Sequence, residues 1–314
     1  MSLFTKHINN WDDWCESRTV EAFSLLVERI FQNENLPFTA LESVNPGTNA
    51  VFKVGGYAIK IFVPMDFGND KLWSYGTDVN VELFGMKWAE MQNVPAPRLI
   101  AEGMIEDKYH FRYMIMDFMP GKLLSEIEDD LSYDDKLTIG RKLRVITDRL
   151  NRPCENFTPI DVMGYATEHN EWRDEGFPES FVADVQKYLA NFQISEKVYC
   201  HGDMHCDNVI IDENLDICII DFADAMYAPV EYEHVYVASC FCEFSRPYLE
   251  GYFGDNYTVK HILDLCMTWL PIHAWGHSTL PANIGPAKDI TSFDVMQEKL
   301  RGLIEKEKQK PHSD

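Results

Sequence analysis

The chain has 314 residues, with 28 lysines and arginines against 51 aspartates and glutamates, and a formal net charge of −23. An acidic balance of that size speaks against a nucleic-acid binder, which needs a basic footprint, and suits either plain solubility or attraction of cationic small molecules. Hydrophobic residues at 46% and charged ones at 25% are ordinary for a globular protein, and no apolar run approaches the roughly 18 residues of a membrane span.

The length allows two domains or one two-lobed domain with an ample core. The first residues, MSLFTKHINNWDDWCES, lack the charged start and long apolar run of a secretory signal, so a cytoplasmic protein with no membrane partner is expected. The eight cysteines (Cys15, Cys154, Cys200, Cys206, Cys218, Cys240, Cys242, Cys266) then read as free thiols. Cys200, His201, His205 and Cys206 could be imagined as zinc ligands, but no second ligand pair at finger-like spacing follows. A monomer or a dimer is expected.

In chain order, residues 17–31 place Val20, Phe23, Val27, Ile30 and Phe31 at helical spacing, with Ser17 or Thr19 as the cap. Residues 41–62 read as a strand meander, LESV, AVFKV and YAIKIF, with NPGTN and GG at the turns. A helix begins near Asp78, with Val81, Phe84, Trp88 and Met91 as its apolar face, and Pro95 and Pro97 end it. Strands follow at 98–102 and 111–118, and beyond Gly121 the pattern turns helical. Residues 133–150 carry Leu137, Ile139, Leu143, Ile146 and Leu150 on one face, 180–192 reads as another helix, and the charged tail 305–314 is expected to fray.

The stretch Cys200–Asp224, CHGDMHCDNVIIDENLDICIIDFAD, carries the chemistry. A hydroxyl that attacks a phosphoryl group needs a carboxylate to orient it and take its proton, and Asp203 is the candidate. Magnesium takes oxygen ligands and needs few from the protein when phosphates and water supply the rest. One amide oxygen from Asn208 and one carboxylate from Asp221 would serve. Val209–Ile211 and Ile217–Ile220 read as short strands around a turn at 212–215, so the hairpin is expected to bring Asn208 and Asp221 to one metal site.

His201, Asp203 and Asn208 match the H-x-D-x-x-x-x-N loop of protein kinases, and Asp221-Phe222-Ala223 stands where those enzymes carry D-F-G. With His205 included, H-G-D-x-H-x-x-N followed by I-D-F resembles the aminoglycoside phosphotransferase and choline kinase group of small-molecule kinases. The resemblance spans roughly residues 41–235. It implies an α+β, two-lobed protein-kinase-like fold, with a small antiparallel β-sheet N-terminal lobe over 1–118 and a larger, mainly helical C-terminal lobe over 119–314.

The resemblance also assigns roles. Gly47, Thr48 and Asn49, in the turn after Pro46, would cover the nucleotide phosphates, although a single glycine is also what a plain hairpin turn needs. Lys60, a charged residue in the apolar strand AIKIF, would hold the α and β phosphates. Its glutamate partner would be Glu82, in the first turn of the next helix, with Glu90 as the second choice. At the hinge, Asp117 would offer its carbonyl and Met119 its amide to the adenine edge, with Met116 behind the ring. Glu233 replaces the aspartate usual after the metal-binding segment, a change expected to affect helix anchoring more than chemistry. No A-P-E element follows, which argues against a regulated protein kinase.

The expected function is ATP-dependent (or GTP-dependent) transfer of the γ-phosphate, with Mg2+, to a hydroxyl of a small molecule, a cationic one among the candidates. A metabolic kinase for choline, ethanolamine, homoserine or a sugar is the alternative, and a nucleotide-binding module without turnover is the alternative of another class. Acidic residues (Glu126, Glu128, Asp129, Asp130, Glu231, Glu243) would suit a polyamine sugar, and aromatic ones (Tyr248, Tyr252, Tyr257, Trp269, Trp275) a quaternary amine, but each group equally reads as solvated face or core.

Overall fold

The computed structural model describes residues 2–44, 47–64, 79–168 and 171–310. Its contacts divide the chain into two compact units, one made of Met1–Glu90, Ala96–Pro120 and Asp221–Asp224, the other of Met91–Pro95, Gly121–Ile220 and Ala225–Asp314.

The first unit is built on an antiparallel sheet. Its elements are α1 (Trp11–Ser17), α2 (Val20–Asn33), β1 (Leu41–Ser43), β2 (Ala50–Val54), β3 (Tyr57–Ile61), α3 (Val79–Met91), β4 (Leu99–Glu106) and β5 (His110–Asp117). The strands lie in the order β1-β2-β3-β5-β4. Thr19 caps α2 by accepting from the Ala22 amide, and in the expected stripe Phe23, Val27, Ile30 and Phe31 are fully buried while Val20 is partly so. It packs into an aromatic core in which Phe4, Phe23, Phe52 and Phe111 meet ring to ring. The β2–β3 turn needs a left-handed residue, and Gly55 supplies it at φ 60°. Asp107 fastens the chain start by accepting from Ser2 Oγ and the Leu3 and Phe4 amides.

The expected face of α3 is a correction. Met91 is 69% exposed, and the buried residues are Val79, Val81, Glu82, Gly85, Met86 and Ala89. Apolar spacing alone drew the face through 84, 88 and 91. The helix is instead turned to bury Glu82, which a cationic partner makes affordable.

The second unit is mainly helical. It contains β6 (Lys122–Leu123), α4 (Leu124–Ile127), α5 (Tyr133–Leu150), α6 (Val162–Glu168), α7 (Glu171–Asp174), α8 (Glu179–Leu189), β7 (Val198–Cys200), β8 (Val209–Ile211), β9 (Ile217–Ile219), β10 (Met226–Ala228), α9 (Val230–Tyr236), α10 (Arg246–Phe253), α11 (Val259–Trp269), α12 (Gly276–Ile284) and α13 (Phe293–Gln309). Two small antiparallel sheets, β6-β8-β9 and β10-β7, flank the loop after β7. In the β8–β9 turn, Asp212 Oδ1 accepts from the amides of Asn214 and Asp216, both at 2.8 Å. A capping box at Ser132 and Asp135 starts α5, which packs on α10 where Gly140 faces Gly251.

The tail is a second correction over 305–310, residues 311–314 lying outside the described residues. It stays helical to Gln309, because Met296, Leu300 and Ile304 continue a buried stripe and Glu307 is also buried. Lys308 Nζ closes onto the Tyr257 carbonyl. All eight cysteines are free thiols. Among the described residues no helix is long and apolar enough to cross a membrane, and no group of three His, Cys, Asp or Glu could hold a metal ion.

Candidate active site

The loop after β7 is held from both sides by its own residues. His201 is buried, its Nε2 3.1 Å from the Ile220 carbonyl and its Nδ1 accepting from the Asp203 amide at 3.4 Å. Its own amide donates to Glu233 on α9. Gly202, at φ 81°, turns the chain so that Asp203 points back across the loop.

The Asp203 carboxylate is fixed through both oxygens. Oδ2 accepts from Asn208 Nδ2 at 3.1 Å and from His205 Nε2 at 3.2 Å, and Oδ1 accepts from the Tyr236 hydroxyl at 3.1 Å. His205 Nδ1 takes the Asp207 amide, which assigns the ring proton to Nε2, the nitrogen facing Asp203. Burial alone would raise the Asp203 carboxyl, but the hydrogen bond from His205, the electrostatic pull of the His205 and His201 rings and the Tyr236 hydroxyl hold it below the usual carboxylate range. It is therefore ionised at neutral pH, as a proton acceptor must be. Oδ1 has a single hydrogen-bond partner among the described residues.

Asn208 meets the chemical demand of a hard cation. Its amide nitrogen is committed to the Asp203 carbonyl at 2.8 Å and to the Asp203 carboxylate. Its Oδ1 takes no hydrogen bond among the described residues, and an amide oxygen is a donor that magnesium accepts. The Ile220 amide bonds the Asn208 carbonyl at 3.0 Å, closing the hairpin one residue before Asp221.

In the first unit, Lys60, Glu82 and Asp221 form a charge cluster. Lys60 Nζ lies 2.7 Å from Glu82 Oε2 and 2.8 Å from Asp221 Oδ1, with the lysine 4% and the glutamate 2% exposed. Burial opposes the ammonium, but the Asp221 and Glu82 carboxylates outweigh it and hold Lys60 above its ordinary range. Burial likewise pushes Glu82 up, to about 7, against the pull of Lys60. Of the two glutamates considered from sequence, Glu90 is exposed and Glu82 makes the pair. Asp221 sits at φ 62°, a left-handed conformation that aspartate tolerates better than most residues.

The remaining expected positions are less committed. In the turn before β2, Pro46 lies outside the described residues. Gly47 and Thr48 are exposed, while Asn49 is buried with Oδ1 accepting from the Val63 amide at 3.3 Å. That bond gives Asn49 a role in holding the turn to the end of β3. Asp117 ends β5 with its carboxylate on Arg98 at 3.2 Å, and Met116 and Met119 are half-buried. Tyr248, Tyr252, Tyr257 and Trp269 are core residues, so among the aromatic candidates only Trp275 is half-exposed.

Sequence reasoning missed several residues that touch these positions. Trp14 Nε1 donates to the Thr48 carbonyl at 2.9 Å and the Arg18 guanidinium donates to the Gly47 carbonyl, so α1 and its C-cap brace the turn. Tyr236 reaches Asp203 from α9, three residues after Glu233 reaches His201.

A family model for the phosphotransferase enzyme family matches residues 85–263, more than half of the chain. The chain belongs to that family. The resemblance read from the catalytic loop is thereby borne out, and the protein is a phosphotransferase of the small-molecule kinase type. Solved structures agree on the fold. A thermostable mutant of aminoglycoside phosphotransferase APH(4)-Ia, in its apo form, matches with a TM-score of 0.55 at 14% identity, over 90% of this chain and 99% of that one. The gentamicin complex of APH(2")-IIa gives 0.55 at 14%, over 91% and 96%. The GDP complex of aminoglycoside 2'-phosphotransferase-IIIa gives 0.54 at 17%, over 90% and 97%. The sequence matches none of the curated proteins. The expected kinase-like fold, with an antiparallel sheet in the N-terminal part and helices in the C-terminal part, is the one this phosphotransferase has.

Proposed function

We propose that this phosphotransferase moves the γ-phosphoryl group of ATP to a hydroxyl of a small molecule, with Asp203 as the base. The observation that carries the reading is the Asp203 carboxylate, fixed through Oδ2 by His205 and Asn208, with Oδ1 bearing one hydrogen bond among the described residues. The acceptor hydroxyl docks on Oδ1. As the bond from its oxygen to the γ-phosphorus forms, the bond from that phosphorus to the ADP oxygen breaks, and the hydroxyl proton passes to Asp203. Because such transition states are loose, the protein contributes mainly position and charge.

Lys60, steadied by Glu82, would bind the α and β phosphates, with the turn at Gly47, Thr48 and Asn49 over them. The Asp117 carbonyl and Met119 amide would take the adenine edge. On this reading residues 1–118 carry the nucleotide side and 119–314 the catalytic and acceptor side. Asn208 through Oδ1 and Asp221 through its carboxylate are the residues that would hold magnesium, which when bound neutralises charge on the phosphates.

For the acceptor, a cationic aminocyclitol is the first class to test. The net charge of −23 favours a cation, and one of the similar structures holds gentamicin. The experiment is a panel of aminoglycosides, choline, ethanolamine, homoserine and sugars, each incubated with the purified protein, magnesium and either ATP or GTP, and read by mass spectrometry for a gained phosphoryl group. Phosphorylation of one acceptor class is the expected result. Tight nucleotide binding with no acceptor phosphorylated would favour a binding module instead.

A further inference from the structure

Helix α9 carries Tyr232 and Tyr236 one turn apart, and the ring of His273, from the connection between α11 and α12, is inserted between them. The His273 ring is 4.1 Å from Tyr232 at an interplanar angle of 24°, and 4.4 Å from Tyr236 at 5°. The insertion is pinned on both sides, since Tyr232 Oη accepts from the Ala274 amide at 3.1 Å and His273 Nδ1 accepts from the Trp275 amide at 3.1 Å.

That second bond assigns the ring proton to Nε2, and Nε2 is buried with no hydrogen-bond partner among the described residues. A buried donor without a partner is disfavoured, so the fold tolerates this nitrogen for the sake of something else the residue does. Burial pushes the imidazole down to about 3, which leaves a neutral flat ring. One face of that ring supports Tyr236, and Tyr236 donates to Asp203 Oδ1, the oxygen assigned to the acceptor's proton.

We propose that His273 is a positioning residue: its ring, stacked between Tyr232 and Tyr236, fixes the direction of the Tyr236 hydroxyl and so the orientation of the Asp203 carboxylate for proton acceptance. The proposal rests on Asp203 being the base. Tyr236 touches the reacting carboxylate, and His273 acts only through it. The ring's two attributes are separable, because His273→Phe keeps the stacking surface and loses the Nδ1 acceptor, while His273→Asn keeps an acceptor near that position and loses the ring.

The test measures ATP hydrolysis in the presence of magnesium, with water as the acceptor, as kcat and KM for ATP. It compares the wild-type protein, Tyr236→Phe, His273→Phe, His273→Asn, the double variant Tyr236→Phe/His273→Asn and Asp203→Asn, with a thermal midpoint for each. Losing a hydrogen bond to a carboxylate should lower kcat roughly tenfold in Tyr236→Phe, with KM for ATP unchanged. His273→Asn should fall as far, His273→Phe should recover most of that loss, and the double variant should be no slower than Tyr236→Phe alone. Equal losses in His273→Phe and His273→Asn, or losses that multiply in the double variant, would overturn the proposal. If His273→Asn does not fold, His273→Phe and Tyr236→Phe still decide it, because the first must stay faster than the second. Wild-type hydrolysis in Asp203→Asn would remove the base and the proposal together, whereas an inactive Asp203→Asn beside an unimpaired Tyr236→Phe would remove the proposal alone.

Discussion

Two buried acids shape the loop after β7, and their surroundings shift them in opposite directions. Asp203 is held below the usual carboxylate range by its donors, while burial pushes Glu233 up to about 7 against the His201 amide, the Asn151 amide and the Gly202 amide. A carboxyl whose folded value lies above its unfolded one binds more protons in the folded state, so its contribution to stability is fully present below the unfolded value and is lost as pH rises through the folded one. The expectation is that the wild-type protein loses stability between pH 5 and pH 8 by an increment that Glu233→Gln lacks, since that range spans the rise from the ordinary carboxylate value to about 7. Urea midpoints at the two pH values check this, and equal pH slopes in both proteins would contradict it. At this scale His205 and Asn208 were legible because they lie two and five residues from Asp203. Tyr236 was not, because its contact spans 33 residues and no local pattern announces it.

Between elements, α5 packs closely on α10, and glycine is the reason the two helices approach so nearly. A Cβ on Gly251 would stand 2.4 Å from the Leu137 carbonyl and 2.9 Å from the Gly140 Cα, both backbone atoms that cannot step aside. Gly251→Ala is therefore expected to destabilise the protein by about 1–3 kcal/mol, as overpacking does, read as a lower thermal midpoint with the nucleotide affinity kept. An unchanged midpoint would show that the helices can part at no cost. The existence of α2, α5 and the strand meander could be read from apolar spacing, and their bounds moved by no more than three residues. The phase of α3 could not, because Glu82 owes its burial to Lys60, 22 residues earlier, rather than to its own helix. The order of the charged tail likewise depends on Tyr257, 51 residues from Lys308.

For the whole molecule, the reaction was more legible than the substrate. The residues proposed for the base and for the metal lie within one 25-residue stretch, and phosphoryl transfer requires specific residue types at fixed spacing. Recognition of an acceptor imposes no such spacing, and most of the aromatic residues offered for it turned out to build the core. The net charge of −23 suits a cationic ligand and plain solubility alike, and it names no site. The most direct test of the central claim is the turnover of Asp203→Asn with the best acceptor from the panel, measured beside its affinity for ATP by calorimetry. A base contributes about 10²–10⁴-fold, so kcat should fall by at least about a hundredfold while the nucleotide is bound as tightly as before. An Asp203→Asn protein that turns over at the wild-type rate would contradict the account.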